Sequence, residues 1–248
     1  MPSPEPIGAV LARVVAPEFR AEGYRCNGGG SRTCSSSLSL PGTCDECARA
    51  LAEEAIQRRI RSWARTLPER QRDVSWTALA GLKRDGGSPR VNLPAGHLRQ
   101  LRRQIKGARW VVLEGPAGAG KTTIAACWAR ALVERHPDQR VRFVGAADLA
   151  KQRDPSPLDL AVSAEWLVLD DLGAELEGAP AQSGLAAQRI GPGSHVICER
   201  FELGRPTLVT TGFDRAQVEL FYGDRVARRL YESAVIVRLG PQDSEGRR

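Results

Sequence analysis

The chain has 248 residues, 42% hydrophobic and 26% charged, with a formal net charge of +7. This is a globular composition, with room for one ordinary domain and a smaller appendage, and it excludes disordered and fibrous classes. No stretch nears the roughly 18 apolar residues of a membrane helix, and the N-terminus lacks the charged and apolar regions of a signal peptide.

Two readings fit the basic balance: a polyanionic partner, or a solvated basic surface without one. The six cysteines are read in a reducing, cytoplasmic setting, where clusters point to metal more than to disulfides. In chain order, residues 1–25 hold one short helical pattern between prolines. The Gly/Ser-rich stretch that follows carries Cys26, Cys34, Cys44 and Cys47. Cys44 and Cys47 have the C-x-x-C spacing that lets two thiolates meet one tetrahedral Zn²⁺. Cys26 and Cys34 complete a set of four, though at a wider spacing. The metal would supply folding energy that this stretch lacks in apolar surface; the other reading is four free thiols in a linker. Leu51, Ile56, Ile60, Trp63 and Leu67 then recur at helical spacing, predicting an amphipathic helix over 45–69 that Pro68 ends. Its stripe suits a small core or a docking surface. The loop 82–90 reads as a junction, dividing a small N-terminal partner-binding region, 1–85, from a nucleotide domain, 86–248.

From Leu98 to Arg109, basic residues at three- and four-residue steps (Arg99, Arg102, Arg103, Lys106, Arg109) make one helical face. It is either a phosphate-backbone contact or the solvated side of a helix packed by Leu98, Leu101 and Ile105. A buried strand, Trp110 to Leu113, then enters Gly115-Pro116-Ala117-Gly118-Ala119-Gly120-Lys121-Thr122, followed by Thr123 and a helical pattern. This is a complete G-x-x-x-x-G-K-[ST] in its strand–loop–helix context. The glycines let successive backbone N–H groups turn toward phosphate oxygens, Lys121 reaches the β- and γ-phosphates, and Thr122 offers a hydroxyl to Mg²⁺. The motif predicts nucleoside triphosphate binding with Mg²⁺.

Downstream, Arg140 to Val144 reads as a strand and A-A-D-L-A-K-Q-R as the start of a helix. The apolar strand Glu165 to Leu169 ends in Asp170 and Asp171. Asp170 is assigned to Mg²⁺ and Asp171 to polarising the attacking water. Residues 174–193 resist placement, a helix covers Ser194 to Glu202, and Pro206 to Gly212 is a strand whose Thr211 is expected to reach the γ-phosphate. Arg215 to Tyr231 reads as mostly helical and Ala234 to Leu239 as a last strand. Arg225 and Arg229 share a helical face. They are either arginines presented to a neighbouring subunit's phosphate or an ordinary basic face. A small-molecule kinase fits the strand P-T-L-V-T-T-G and the G-D-R helix poorly.

Together, G-P-A-G-A-G-K-T-T, W-L-V-L-D-D-L-G, R-P-T-L-V-T-T-G and Y-G-D-R-V-A-R-R-L resemble the AAA+ helicase-loader and transposition-helper ATPases (DnaC/IstB-like) over roughly residues 95–240. The resemblance implies an α/β P-loop NTPase fold of the AAA+ type, a doubly wound parallel sheet, with a small helical N-terminal region. It also implies ATP and Mg²⁺ binding, ATP hydrolysis, homo-oligomeric assembly across the nucleotide and single-stranded DNA contact. It makes Arg225 an arginine finger and Arg229 the motif's second arginine. A cysteine-bearing N-terminal region is similar to that of loaders that grip a replicative hexameric helicase. Action on a transposase is the same-family alternative, and a nucleotide-gated binding module with negligible hydrolysis is another. Two departures stand out: Gly212 replaces the family's asparagine, and Arg247 sits off the spacing of the family's C-terminal sensor arginine.

Overall fold

The computed structural model describes residues 24–25, 37–38, 44–81, 95–151, 153–176 and 191–240. The chain divides into two compact units, 1–58 and 59–248. In the first, strands β1 (Tyr24–Arg25) and β2 (Ser37–Leu38) pair antiparallel, Tyr24 opposite Leu38. Helix α1 (Asp45–Ala64) begins in this unit and runs into the next, with acidic Asp45 and Glu46 complementing the dipole of its first turn. It stops one turn before Pro68, where the Thr66 hydroxyl donates to the Trp63 carbonyl at 2.6 Å. Ile60, Trp63 and Leu67 are buried as their spacing predicts, while Leu51 and Ile56 are half-buried.

In the second unit, α2 (Trp76–Gly81) and α3 (Ala95–Ile105) precede β3 (Trp110–Glu114), the phosphate loop and α4 (Lys121–Arg135). The elements β4 (Val141–Gly145), α5 (Pro157–Ser163), β5 (Trp166–Leu172), α6 (Pro192–Glu202) and β6 (Thr207–Thr211) follow. Helices α7 (Arg215–Tyr222) and α8 (Asp224–Glu232) lead into β7 (Val235–Arg238). The five strands β3–β7 form one parallel sheet in the order β4-β5-β6-β3-β7. Because β3 lies between β6 and β7, the loop that leaves it sits between the ends of those two strands.

Side chains alternate across each strand, and here both faces are buried, as a wound parallel sheet requires. Val112, Leu167, Leu169 and Val209 join Val196, Ile197, Val218 and Leu230 of α6–α8 in one core. Val111, Leu113, Val168 and Leu208 occupy the alternate positions and are fully buried; α4, the helix after the phosphate loop, packs on β4, β5 and β6.

Two expectations change. A-A-D-L-A-K-Q-R makes only a single 3₁₀ turn, Ala146–Asp148, because Pro155 and Pro157 bar a helix from continuing. Ser156 instead caps the separate α5. The 215–231 helix is two helices, broken at Gly223, whose φ of 87° lies in the left-handed region. Among the described residues, no helix is long and apolar enough to cross a membrane.

Candidate nucleotide site

Gly115, Gly118 and Gly120 have φ of 147°, 79° and 91°, so the phosphate loop is built on backbone that only glycine adopts without strain. A Cβ on Gly115 would overlap the carbonyl of Leu239; the Leu239 N–H in turn donates to the Glu114 carbonyl at 2.7 Å. The Lys121 ammonium donates to the carbonyls of Gly115 (2.7 Å) and Pro116 (2.9 Å), which holds it over the loop. Pro116, Ala117 and Gly118 are exposed, Ala119, Gly120 and Thr122 half-buried, and Thr123 is buried in the first turn of α4. A cleft of about 340 Å³ opens beside the loop, walled by Pro116, Gly212, Asp214, Gln217 and Arg238.

The acids come from an irregularity in β5. Leu169 pairs with Val209 and Leu172 with Thr211, so β5 carries one residue more than β6 between these points. This is a β-bulge, a device that re-aims a side chain. Both aspartates face the single residue Thr210. Its hydroxyl accepts the Asp171 N–H at 2.8 Å and donates to Asp170 Oδ1 at 2.7 Å. Asp171 takes φ of 59°, a left-handed conformation that aspartate tolerates better than most residues. The bulge leaves Asp170 buried and Asp171 exposed.

Electrostatics tie these groups together. Burial pushes the Asp170 carboxyl above the ordinary aspartate range, opposed by hydrogen bonds from the hydroxyls of Thr210 and Thr122 and by the Lys121 ammonium. Burial pulls Lys121 down, and the charges of Asp171 and Asp170 oppose that fall. Lys121, Thr122, Asp170 and Asp171 therefore converge on one edge of the sheet. The Thr122 hydroxyl beside the Asp170 carboxylate offers hard oxygen donors that suit Mg²⁺.

Thr211 does not join them. It shares a strand face with Val209, opposite to Thr210, and its buried hydroxyl donates to the Leu172 carbonyl (2.9 Å) and accepts the Phe213 N–H (3.0 Å). The threonine against the acids is Thr210. Gly212 is exposed, and a Cβ there would meet nothing within 4 Å.

The two arginines also separate. The Arg225 side chain is 71% exposed, with one ion pair, to Glu202 at 3.7 Å. Arg229 is only 13% exposed, paired with Glu202 and lying over the Phe201 ring. Arg229 therefore ties α8 to α6.

Glu175 was missed. It accepts the Tyr222 hydroxyl at 2.6 Å and the Gly173 N–H at 2.9 Å, bracing the turn that leaves the two aspartates. Its one signal is an acid soon after D-D-L-G. Among the cysteines, Cys44 and Cys47 stand at the start of α1, where the Cys47 N–H donates to Cys44 Sγ at 3.5 Å. Cys26, Cys34 and Arg247 lie outside the described residues. Among the described residues, no three metal-ligating side chains gather.

An interior strand entering a glycine loop, a strand ending in acids one strand removed from it across β6, and this strand order define a P-loop NTPase fold of the AAA+ type. The solved structure of the DnaC helicase loader is similar, with a TM-score of 0.50 at 20% identity, covering 70% of this chain and 100% of that one. DnaI aligns at 0.48 and 20% identity, over 70% of this chain and 95% of that chain. AMPPCP-bound DnaA from Aquifex aeolicus aligns at 0.43 and 16% identity over 58% of this chain, which spans 45% of that protein. No protein-family model and no curated protein sequence matches this chain.

Proposed function

We propose that this protein is an AAA+ ATPase of the DnaC/IstB-like family that loads a replicative DNA helicase. The observation that carries the nucleotide chemistry is the convergence of Lys121, Thr122 and Asp170 on the loop between β3 and α4. The loop's backbone amides and Lys121 would hold the phosphates of ATP, and Thr122 and Asp170 would hold Mg²⁺. That ion would neutralise charge on the phosphate oxygens. Asp171, exposed by the bulge, would polarise the attacking water, and Arg225 would be presented to the nucleotide of a neighbouring copy in a head-to-tail assembly.

The loader reading draws on the motif resemblance, on the likeness of the fold to the DnaC helicase loader and on the net charge of +7, which suits single-stranded DNA. In the N-terminal region, Zn²⁺ would be held by Cys26, Cys34, Cys44 and Cys47. An N–H donated to sulfur, as from Cys47 to Cys44, favours the thiolate that a metal needs. One second reading has its own support: an aspartate at 171 and a bare Gly212 favour a nucleotide-gated binding module with very slow hydrolysis. A transposition helper acting on a transposase is the same-family alternative.

Size-exclusion chromatography of the full chain with ATP, Mg²⁺ and a purified hexameric replicative helicase tests the partner. Co-elution that requires ATP and residues 1–85 is the expected result. Failure to co-elute, with binding to a transposase instead, would move the protein to the helper class.

A further inference from the structure

Helix α3 buries Leu98, Leu101 and Ile105, and its helical period therefore turns Arg99, Arg102 and Arg103 outward, with Lys106 just beyond the helix end. These four side chains line one wall of a cavity of about 810 Å³. Arg135, near the end of α4, adds a fifth cation, and the indoles of Trp76 and Trp128 also line it; among the described residues no acidic one does.

Several basic side chains elsewhere on this unit are neutralised. Arg130 pairs with Glu134 at 3.2 Å, Arg140 with Glu165 at 3.0 Å and Arg228 with Asp224 at 3.0 Å. Around the cavity the pattern reverses. Among the described residues, Arg99, Arg102, Arg103 and Lys106 have no ion pair, and Arg135 donates only to the Ala131 carbonyl of its own helix. Five concentrated positive charges raise the local potential and call for a polyanion.

The aromatic lining narrows the class. Trp128 is buried and held edge-on against Trp166, with ring centroids 5.9 Å apart; Trp76 is half-buried at the start of α2. Indoles among cations form a stacking platform for unpaired bases, whereas a duplex keeps its base faces stacked inside and offers such a floor only phosphates. Arg135 and Lys121 stand at opposite ends of α4, about 20 Å apart at 1.5 Å per residue. A strand held here leaves the phosphate loop free.

We propose that the cavity between α3 and α4 is a binding groove for single-stranded nucleic acid. The cations contact the phosphate backbone and Trp76 stacks on a base. This rests on the single-strand contact in the function proposed above and gives it a location.

The test is fluorescence anisotropy of labelled dT20 with the full chain, titrated across salt concentrations, using Arg99→Ser/Arg102→Ser/Arg103→Ser together and Trp76→Ala separately. The triple variant should lose at least tenfold in affinity, and its log–log salt slope should fall by about 2, at roughly 0.7 per lost phosphate contact. Trp76→Ala should lose about tenfold with the slope unchanged, the signature of a lost base stack. ATP binding and melting temperature should hold in both variants, and lysine in place of serine at the three arginine positions should recover the slope. Wild-type strand binding that neither variant weakens overturns the groove and leaves the loader reading standing. So does a duplex of equal length that binds as tightly as the strand and is insensitive to Trp76→Ala. A wild-type chain that binds no dT20 removes both the groove and the single-strand contact, with ATP and helicase binding still to be judged on their own assays.

Discussion

Arg225→Ala will lower ATP turnover by about 10³-fold at saturating ATP and leave ATP affinity unchanged, the lower end of what an arginine finger contributes. The difference between Arg225 and Arg229 motivates this expectation. Both descend from G-D-R-V-A-R-R, yet Arg225 is 71% exposed with a single ion pair at 3.7 Å, whereas Arg229 is fastened to Glu202 and Phe201. An arginine serving a neighbour's phosphate must be free to leave its own surface, and Arg225 meets that condition. Mixing gives the decisive reading. Lys121→Ala supplies an intact Arg225, and Arg225→Ala supplies an intact phosphate loop, so an equimolar mixture should recover turnover that neither variant has alone. No recovery would mean that Arg225 does not act across a subunit boundary. Arg229→Ala should instead lower the melting temperature by loosening α8 from α6.

Arg200→Met will destabilise the second unit by about 4 kcal/mol, moving its thermal midpoint down by roughly 8–16 °C. Arg200 is 0% exposed. Its guanidinium donates to the carbonyls of Ala161 (2.8 Å), Ala164 (2.7 Å) and Pro206 (2.6 Å) and to the Thr207 hydroxyl (2.8 Å). Ala161 and Ala164 belong to the last turn and end of α5, where unpaired carbonyls carry the negative end of the helix dipole. One planar fork thus caps α5 and fastens it to the start of β6, beneath the strands that carry Asp170 and Thr210. Methionine fills much of the volume but donates nothing. Each stranded acceptor costs about 1–3 kcal/mol, and the total is lowered by relief of the buried charge. Arg200→Lys should fall between, since an ammonium cannot reproduce the fork. Circular dichroism melting reads the effect, and an unchanged midpoint would refute this account of Arg200.

Sequence reading reaches as far as the signals are local. The loop from Gly115 to Thr122 and the strands around it were legible because their signals are local: an apolar run, glycines at fixed offsets, then a helical period. The strand ending in Asp170 and Asp171 was legible for the same reason. Thr211, the last hydroxyl of its strand, is the residue the sequence offers, whereas Thr210 is the one that meets the acids. The bulge inserts a residue into β5 and sets the two aspartates against Thr210, and no spacing within either strand reveals that. Arg200 reads as one more surface cation in I-C-E-R-F-E, since its acceptors come from residues 161–164 and 206, distant in the chain or lacking any side-chain signature. Glu175 likewise acquires its role only when Tyr222 arrives from α7. The basic face of α3 was visible, but the tryptophans that share its cavity were not, because they sit on two other helices.

The most direct measurement is steady-state ATP turnover by the purified full chain, with and without single-stranded DNA, beside Lys121→Ala. Lys121 is held at the mouth of the loop by the Gly115 and Pro116 carbonyls and shares its field with Asp170 and Asp171, so every step of the proposed chemistry passes through it. The account predicts turnover that Lys121→Ala abolishes and that single-stranded DNA changes several-fold. A near-zero rate, indifferent to DNA despite clear ATP binding, would contradict it and leave a nucleotide-gated binding module in its place.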